Sequence, residues 1–239
     1  ITNNAELPGA EMKLYKKDNL DKPVKEWISG TEPEEFNDLI PGEKYVLVET
    51  AAPEGYTIAE QIEFEVSADG KPQMVVMKDK PTEVTISKKA VSGTDELSGA
   101  KLQIINSKTG KTVYEWTSAE TAKTISKIPA GNYLLREESA PEGYYKAAEI
   151  PFVVTDKGEV TIGGEAVEEN HITMIDYPVK VSISKKAING TEELPGAELE
   201  LYKVVKSADT EETTEEKVDD WISTNEPHIV TGLFVGNQY

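Results

Sequence analysis

The stretch Tyr45 to Tyr56, YVLVETAAPEGY, returns at Tyr133 to Tyr144 as YLLREESAPEGY, and the next tyrosine of the series is Tyr239. Both full copies read Y-x-L-x-E, two residues, then A-P-x-G-Y. The first five positions alternate, so Tyr45, Leu47 and Glu49 are predicted on one face of a strand, as are Tyr133, Leu135 and Glu137. A carboxylate therefore lies in phase with residues that ask to be buried. The Ala-Pro-Glu-Gly that follows ends the strand, because proline removes a ladder donor and glycine permits a tight turn.

Outward from this stretch, other landmarks recur in the same order. A Leu-Pro/Ser-Gly-Ala turn occurs at Leu7 to Ala10, Leu97 to Ala100 and Leu194 to Ala197, and tryptophan strands follow at Trp27, Trp116 and Trp221. After the proline-glycine turn come alternating strands at Ile62 to Val66 and Ile150 to Val154, then final strands at Val75 to Asp79 and Ile172 to Asp176. The next copy opens at once with VTISKK, Val84 to Lys89, or VSISKK, Val181 to Lys186. Asp79 to Asp176 and Lys88 to Lys185 share a spacing of 97 residues. Each repeat is thus close to the roughly 100 residues of a seven-stranded sandwich.

These landmarks predict an all-β chain of tandem Ig-like β-sandwich modules. The expected boundaries are residues 1–80, a module lacking its first strand; 81–178, a complete module; and 179–239, a module truncated in its C-terminal half. Tyr177-Pro178-Val179-Lys180 is read as a linker, Thr117 to Lys123 as one helical turn, and the acidic stretch Lys206 to Val218 as a solvated hairpin loop.

Composition narrows the function classes. With 25 Lys and Arg against 44 Asp and Glu, the net charge of −19 argues against a nucleic-acid partner, since phosphate binding needs a basic footprint. No apolar run approaches the length of a membrane span, so no membrane insertion is expected within this stretch. The absence of cysteine removes disulfides and thiolate metal sites, and any covalent brace must use other chemistry. His171 and His228 have no second ligand at metal spacing, so neither a metal nor a cofactor is expected. The three tryptophans recur in phase, which fits core packing better than a sugar-binding platform.

Three polar residues fall in phase with buried ones in the middle repeat: Lys88 with Val84 and Ile86, Asp176 with Ile172 and Met174, and Glu137 with Tyr133 and Leu135. A single charged residue at a strand end commonly reaches solvent. Three in one repeat, with Glu49 and Asp79 in phase in the first and Lys185 in the third, point instead to a buried site. A plain buried ion pair is the competing explanation.

In these residues the chain resembles the Cna B-type, prealbumin-like (SpaA-like) repeat modules of Gram-positive cell-surface adhesins and pilins. Tyr45 to Tyr56 matches the pilin glutamate box Y-x-L-x-E-T-x-A-P-x-G-Y at each specified position, and Tyr133 to Tyr144 has Glu138 in place of the threonine. The resemblance implies an autocatalytic isopeptide bond from Lys88 to Asp176, with Glu137 as proton shuttle. The more familiar acceptor is asparagine, so with Asp176 water leaves rather than ammonia. Glu49, the counterpart of the catalytic Glu137, and Asp79, the counterpart of the acceptor, then await a lysine, and Lys185 awaits a glutamate and an acid.

The function so implied is a stalk or shaft of an extracellular, cell-wall-attached adhesin or pilus-like protein, not an enzyme, with the anchor and export signal expected outside this stretch. Its partners are neighbouring modules of the same protein. The leading alternative is a ligand-binding module that recognises a host extracellular protein or glycan, and a third reading is an appendage of a secreted carbohydrate-active enzyme. One further expectation is strand-donated self-association, with Val181 to Lys186 of one chain bringing Lys185 to Glu49 and Asp79 of another.

Overall fold

The computed structural model describes residues 6–206 and 213–239, and its elements are eighteen β-strands and one short 3-10 turn, Glu168–Asn170. Short alternating segments rich in Val, Ile, Tyr and Thr, punctuated by glycine turns, favour the pleated state over helix.

The first sheet has the order β2-β1-β3-β4, built from β1 (Glu11–Lys16), β2 (Lys25–Ile28), β3 (Lys44–Ala51) and β4 (Ile62–Glu65). Ala10, Met12, Leu14, Tyr45 and Leu47 form its core, with Trp27, Phe36, Val75 and Met77 packed against them.

The middle region is a two-sheet sandwich. One sheet, in the order β10-β14-β5-β8, contains β5 (Glu83–Ala90), β8 (Lys123–Ser126), β10 (Tyr144–Tyr145) and β14 (His171–Pro178). The other, in the order β13-β12-β11-β9-β6-β7, contains β6 (Lys101–Asn106), β7 (Thr112–Thr117), β9 (Gly131–Ser139), β11 (Ile150–Val154), β12 (Val160–Ile162) and β13 (Glu165–Ala166). Val84, Ile86, Ile172 and Met174 from the first sheet meet Leu102, Ile104, Tyr133, Leu135 and Phe152 from the second in one continuous core. Opening strand β5 and closing strand β14 lie side by side and parallel, with Ile172 opposite Ile86 and Met174 opposite Lys88.

In the last region β15 (Lys180–Ile183) pairs with β18 (His228–Thr231), and β16 (Glu198–Lys206) with β17 (Thr213–Ile222). The acidic stretch predicted as a loop therefore lengthens this hairpin on both sides, while residues 207–212 lie outside the described residues.

Two other expectations need correction. Thr117 to Lys123 contains no helical turn: Thr117 closes β7, Lys123 opens β8, and a bend joins them. Val75 to Asp79 alternates in burial as predicted but forms no ladder. Its counterpart β14 is held by β5, and among the described residues no strand stands in that place beside Val75 to Asp79.

The A-P-x-G-Y turn also meets the next repeat. Thr82 N donates to Gly55 O (2.9 Å), Lys127 N donates to Thr82 O (2.8 Å), and Val179 N donates to Gly143 O (2.8 Å). Val179, buried with Val230 and Leu233, is thus a packed residue rather than part of a free linker.

Candidate functional site

Lys88 and Asp176 sit on the adjacent strands β5 and β14, and Glu137 reaches them from β9 in the opposite sheet, where it pairs with Leu102. The parallel register places Asp176 opposite Ala90, two residues beyond Lys88 and on the same face. Lys88 Nζ contacts Asp176 Oδ1 directly and lies 3.2 Å from Glu137 Oε1. The side chains are 1% exposed for Lys88 and 0% for both acids. The alternation that buries Ile86 and Met174 therefore also buries the ionisable groups.

Hydrogen bonding within the site is incomplete in an informative way. Glu137 Oε2 accepts from Ala147 N (2.6 Å), but Glu137 Oε1 and Asp176 Oδ2 are buried without a hydrogen-bond partner. Ionised carboxylates only accept, so two charged acids could offer each other no donor. Burial pushes the Asp176 carboxyl up to about 6, against the hydrogen bond and charge of Lys88 that pull it down, and the neighbouring Glu137 adds to the rise. A lysine amine, an acid inclined to be neutral and a second acid are thus enclosed in an apolar core. In such surroundings separated charges are costly.

The equivalents elsewhere are only partly assembled. Glu49 is 3% exposed and its Oε2 accepts from Ala59 N (2.5 Å), while Oε1 is buried without a partner. Burial, and then the nearby Asp79, push Glu49 up to about 7, with the Ala59 hydrogen bond opposing them. Asp79 is likewise raised by burial. No ion pair to Glu49 or Asp79, and none from the Lys185 amine, occurs among the described residues. Lys185 is instead held through its backbone, its N donating to Glu193 Oε2 (3.0 Å).

Trp27 and Trp116 pack on their respective cores, and Trp221 stacks on His228 with ring centroids 4.2 Å apart. His228 Nε2 meets Asp219 Oδ2 (2.8 Å), and His171 Nε2 meets Ser87 Oγ (2.7 Å). Sequence reasoning missed three contributors: the Ala147 and Ala59 amides, and Glu96, which binds the Lys88 backbone. The amides leave no side-chain signature. Glu96 had one, since glutamate precedes Leu-Pro/Ser-Gly-Ala at Glu6, Glu96 and Glu193 alike.

The SpaA family, described as a prealbumin-like fold domain, matches residues 1–81 and 82–166. The chain belongs to this family. Its prealbumin-like domains are arranged in tandem, and the glutamate-box strands β3 and β9 fall one in each matched segment. No curated protein matches the chain. Among solved structures it is similar to the Bacillus anthracis TIE protein, at 20% identity and a TM-score of 0.40, covering 96% of this chain and 41% of that one. It is also similar to the pilus-presented adhesin Spy0125 (Cpa), at 30% identity and a TM-score of 0.31, covering 36% of this chain and 20% of that one. For the Streptococcal ancillary pilin the identity is 16% and the TM-score 0.40, covering 98% and 82%. The chain thus spans about two fifths of the length of the first and one fifth of the second.

Proposed function

We propose that Lys88 and Asp176 condense into an intramolecular isopeptide bond, with Glu137 carrying the proton, and that the chain is a braced shaft segment of a cell-surface adhesin or pilus-like protein. The observation that carries this reading is the enclosed contact of the Lys88 amine with both acids. The unprotonated Lys88 Nζ attacks Asp176 Cγ, which Glu137 polarises by donating a hydrogen bond to its carboxyl. One Asp176 oxygen leaves as water, taking two hydrogens from the reacting amine and acid, and an amide N–H remains. Glu137 ends as it began. Folding supplies the proximity, which is worth about 7–11 kcal/mol of barrier for well-oriented groups. Each chain reacts once, so the product is a matured structure rather than a turned-over substrate.

The mechanical reading follows from topology. Because β5 and β14 are parallel neighbours at the two ends of one sandwich, tension between those ends slides one along the other. A Lys88–Asp176 amide carries that load covalently. It also closes a loop over the 88-residue separation of the two residues, worth about 4–5 kcal/mol in the chain-entropy account of cross-links. We assign the repeating units to residues 1–80, 81–178 and 179–239, with neighbouring modules as the principal partners and the outer face of the cell wall as the location. A host-binding face ranks second. Tyr145 and Tyr177, paired across β10 and β14, are 49% and 60% exposed, but two rings make a smaller patch than docking surfaces generally present.

Intact mass of the denatured chain tests the bond. The parent is expected about 18 Da lighter than its sequence, one water lost, with a peptide joining Lys88 to Asp176, while Glu137→Ala keeps its full mass. A folded parent at full mass would overturn the proposal and leave a buried ion pair.

A further inference from the structure

We propose that Glu96 is a positioning residue that aims the Lys88 nucleophile, an inference that rests on the isopeptide reading above. The need for it arises in the sheet. Strand β8 pairs with β5 only as far as Lys123 opposite Ile86, so Lys88, two residues on, directs its N–H and C=O to the same side where no strand continues. Those groups are nevertheless satisfied: Lys88 N donates to Glu96 Oε2 (2.9 Å), and Leu97 N donates to Lys88 O (2.6 Å). Glu96 Oε1 accepts from Ser87 Oγ (2.6 Å), and Lys89 Nζ stands 3.9 Å away on the other flank. The glutamate thus grips the residue before the nucleophile, the nucleophile's own amide and the residue after it. At 13% side-chain exposure, its carboxylate is sheltered enough for these charge-assisted bonds to be strong.

The same clamp appears where, among the described residues, no acid contacts the lysine amine. In the last region Lys185 N donates to Glu193 Oε2 (3.0 Å), Leu194 N donates to Lys185 O (2.7 Å), and Lys186 Nζ lies 3.6 Å from Glu193. Burial pushes the Glu193 carboxyl up, but hydrogen bonds from Ser184 and Lys185 and the charge of Lys186 hold it below its usual range. The clamp is therefore not a by-product of the contact between lysine and aspartate. It prepares the amine half of the site in advance, and fixing the backbone at the strand end restricts where a long, flexible side chain can place its nitrogen.

The test is the rate of water loss measured separately from folding. The full chain, with Glu96→Ala and Glu96→Gln beside it, is made by cell-free synthesis, quenched in acid at intervals and weighed intact, while protease resistance of the same samples reports folding. Glu96→Ala is expected to become protease-resistant yet lose its water at least about tenfold more slowly, as a displaced nucleophile does. Glu96→Gln keeps the volume and one acceptor oxygen, so it should fall between parent and alanine variant, and it carries the test if the alanine variant does not fold. Parent-like rates of water loss in the folded variants would overturn the positioning role while leaving the bond intact. A parent that folds and never loses water would overturn the bond, and the clamp's purpose with it.

Discussion

The first sheet and the middle sandwich hold the same acid pair in two conditions, one without a lysine and one with it. Glu49 and Glu137 each accept a backbone N–H from ten residues on, Ala59 and Ala147, at 2.5 and 2.6 Å. The seat of the glutamate is therefore built by the box strand and the turn after it, whether or not an amine is present. What differs is the charge around it. The charge of Lys88 offsets the burial of Asp176, whereas among the described residues no cation offsets the burial of Glu49 beside Asp79. The site is modular: an acid half belongs to the box strand and the closing segment, and an amine half belongs to the opening strand and its glutamate clamp. The last region, with Lys185 clamped and, among the described residues, no acid against its amine, shows the second half by itself.

The largest expected effect comes from removing the acceptor in each region. If the proposed bond forms, Asp176→Ala deletes it, about 4–5 kcal/mol by loop entropy, and leaves the Lys88 amine buried against Glu137 alone. The middle sandwich should become the least stable part of the chain, with a large fall in the denaturant midpoint read from exchange of β5 and β14 amides. Asp79→Ala removes no tie and relieves a repulsion, so the first sheet should change by about 1 kcal/mol or less. Equal losses in the two regions would mean that no bond forms and that the comparison is only one of burial.

The second effect is a dependence on pH confined to the first sheet. Glu49 has its folded value raised from 4.5 to about 7, so the folded state holds a proton that the unfolded state releases. Stability is then fully present below about 4.5 and falls as pH rises towards 7, levelling off above that. Glu49→Gln, neutral at every pH, should flatten the profile and make the first sheet more stable than the parent above pH 7. Hydrogen exchange at Ala59, whose amide bonds the Glu49 carboxyl, reports this locally. In the middle sandwich, once the amide has formed, neither Lys88 nor Asp176 titrates, and the Asp176 contribution to such a slope is lost. A slope of the same size there would mean that its acid is still free.

Most of the middle site was legible in the sequence because strand alternation is a strict code. Lys88, Glu137 and Asp176 fall in phase with Ile86, Leu135 and Met174, and all six are buried. Two kinds of feature were not legible. Whether Val75 to Asp79 would form a ladder depended on a neighbouring strand, which no local pattern encodes: its side chains alternate in burial, but among the described residues no strand pairs with it. Likewise, Thr117 to Lys123 has the composition of a helical turn but only the few residues needed to pass from β7 to β8 between different sheets, so connectivity overrode propensity. Backbone donors such as Ala147 N carry no residue signature at all. The stacking of repeats was hidden for the same reason, since it is made largely by main-chain groups.

That stacking supplies the smallest of the expected effects and bears on whether the two regions unfold as one. Gly55 has φ of +83°, and a Cβ there would stand 2.7 Å from the Lys127 carbonyl oxygen and 2.9 Å from the Lys127 Cβ. Gly42 has nearly the same conformation, φ of +80°, with nothing within 4 Å. Alanine at Gly42 thus costs only the left-handed backbone, about 1–2 kcal/mol. At Gly55 it adds a contact that the main chain of the next repeat must yield to. Gly55→Ala should therefore speed exchange of the Thr82 amide, which donates to Gly55 O (2.9 Å), and separate unfolding of the first sheet from that of the middle sandwich. Gly42→Ala should destabilise the first sheet without touching Thr82. If the two variants have the same effect at Thr82, the seam transmits nothing, and the difference between the regions is set within each of them rather than across their junction.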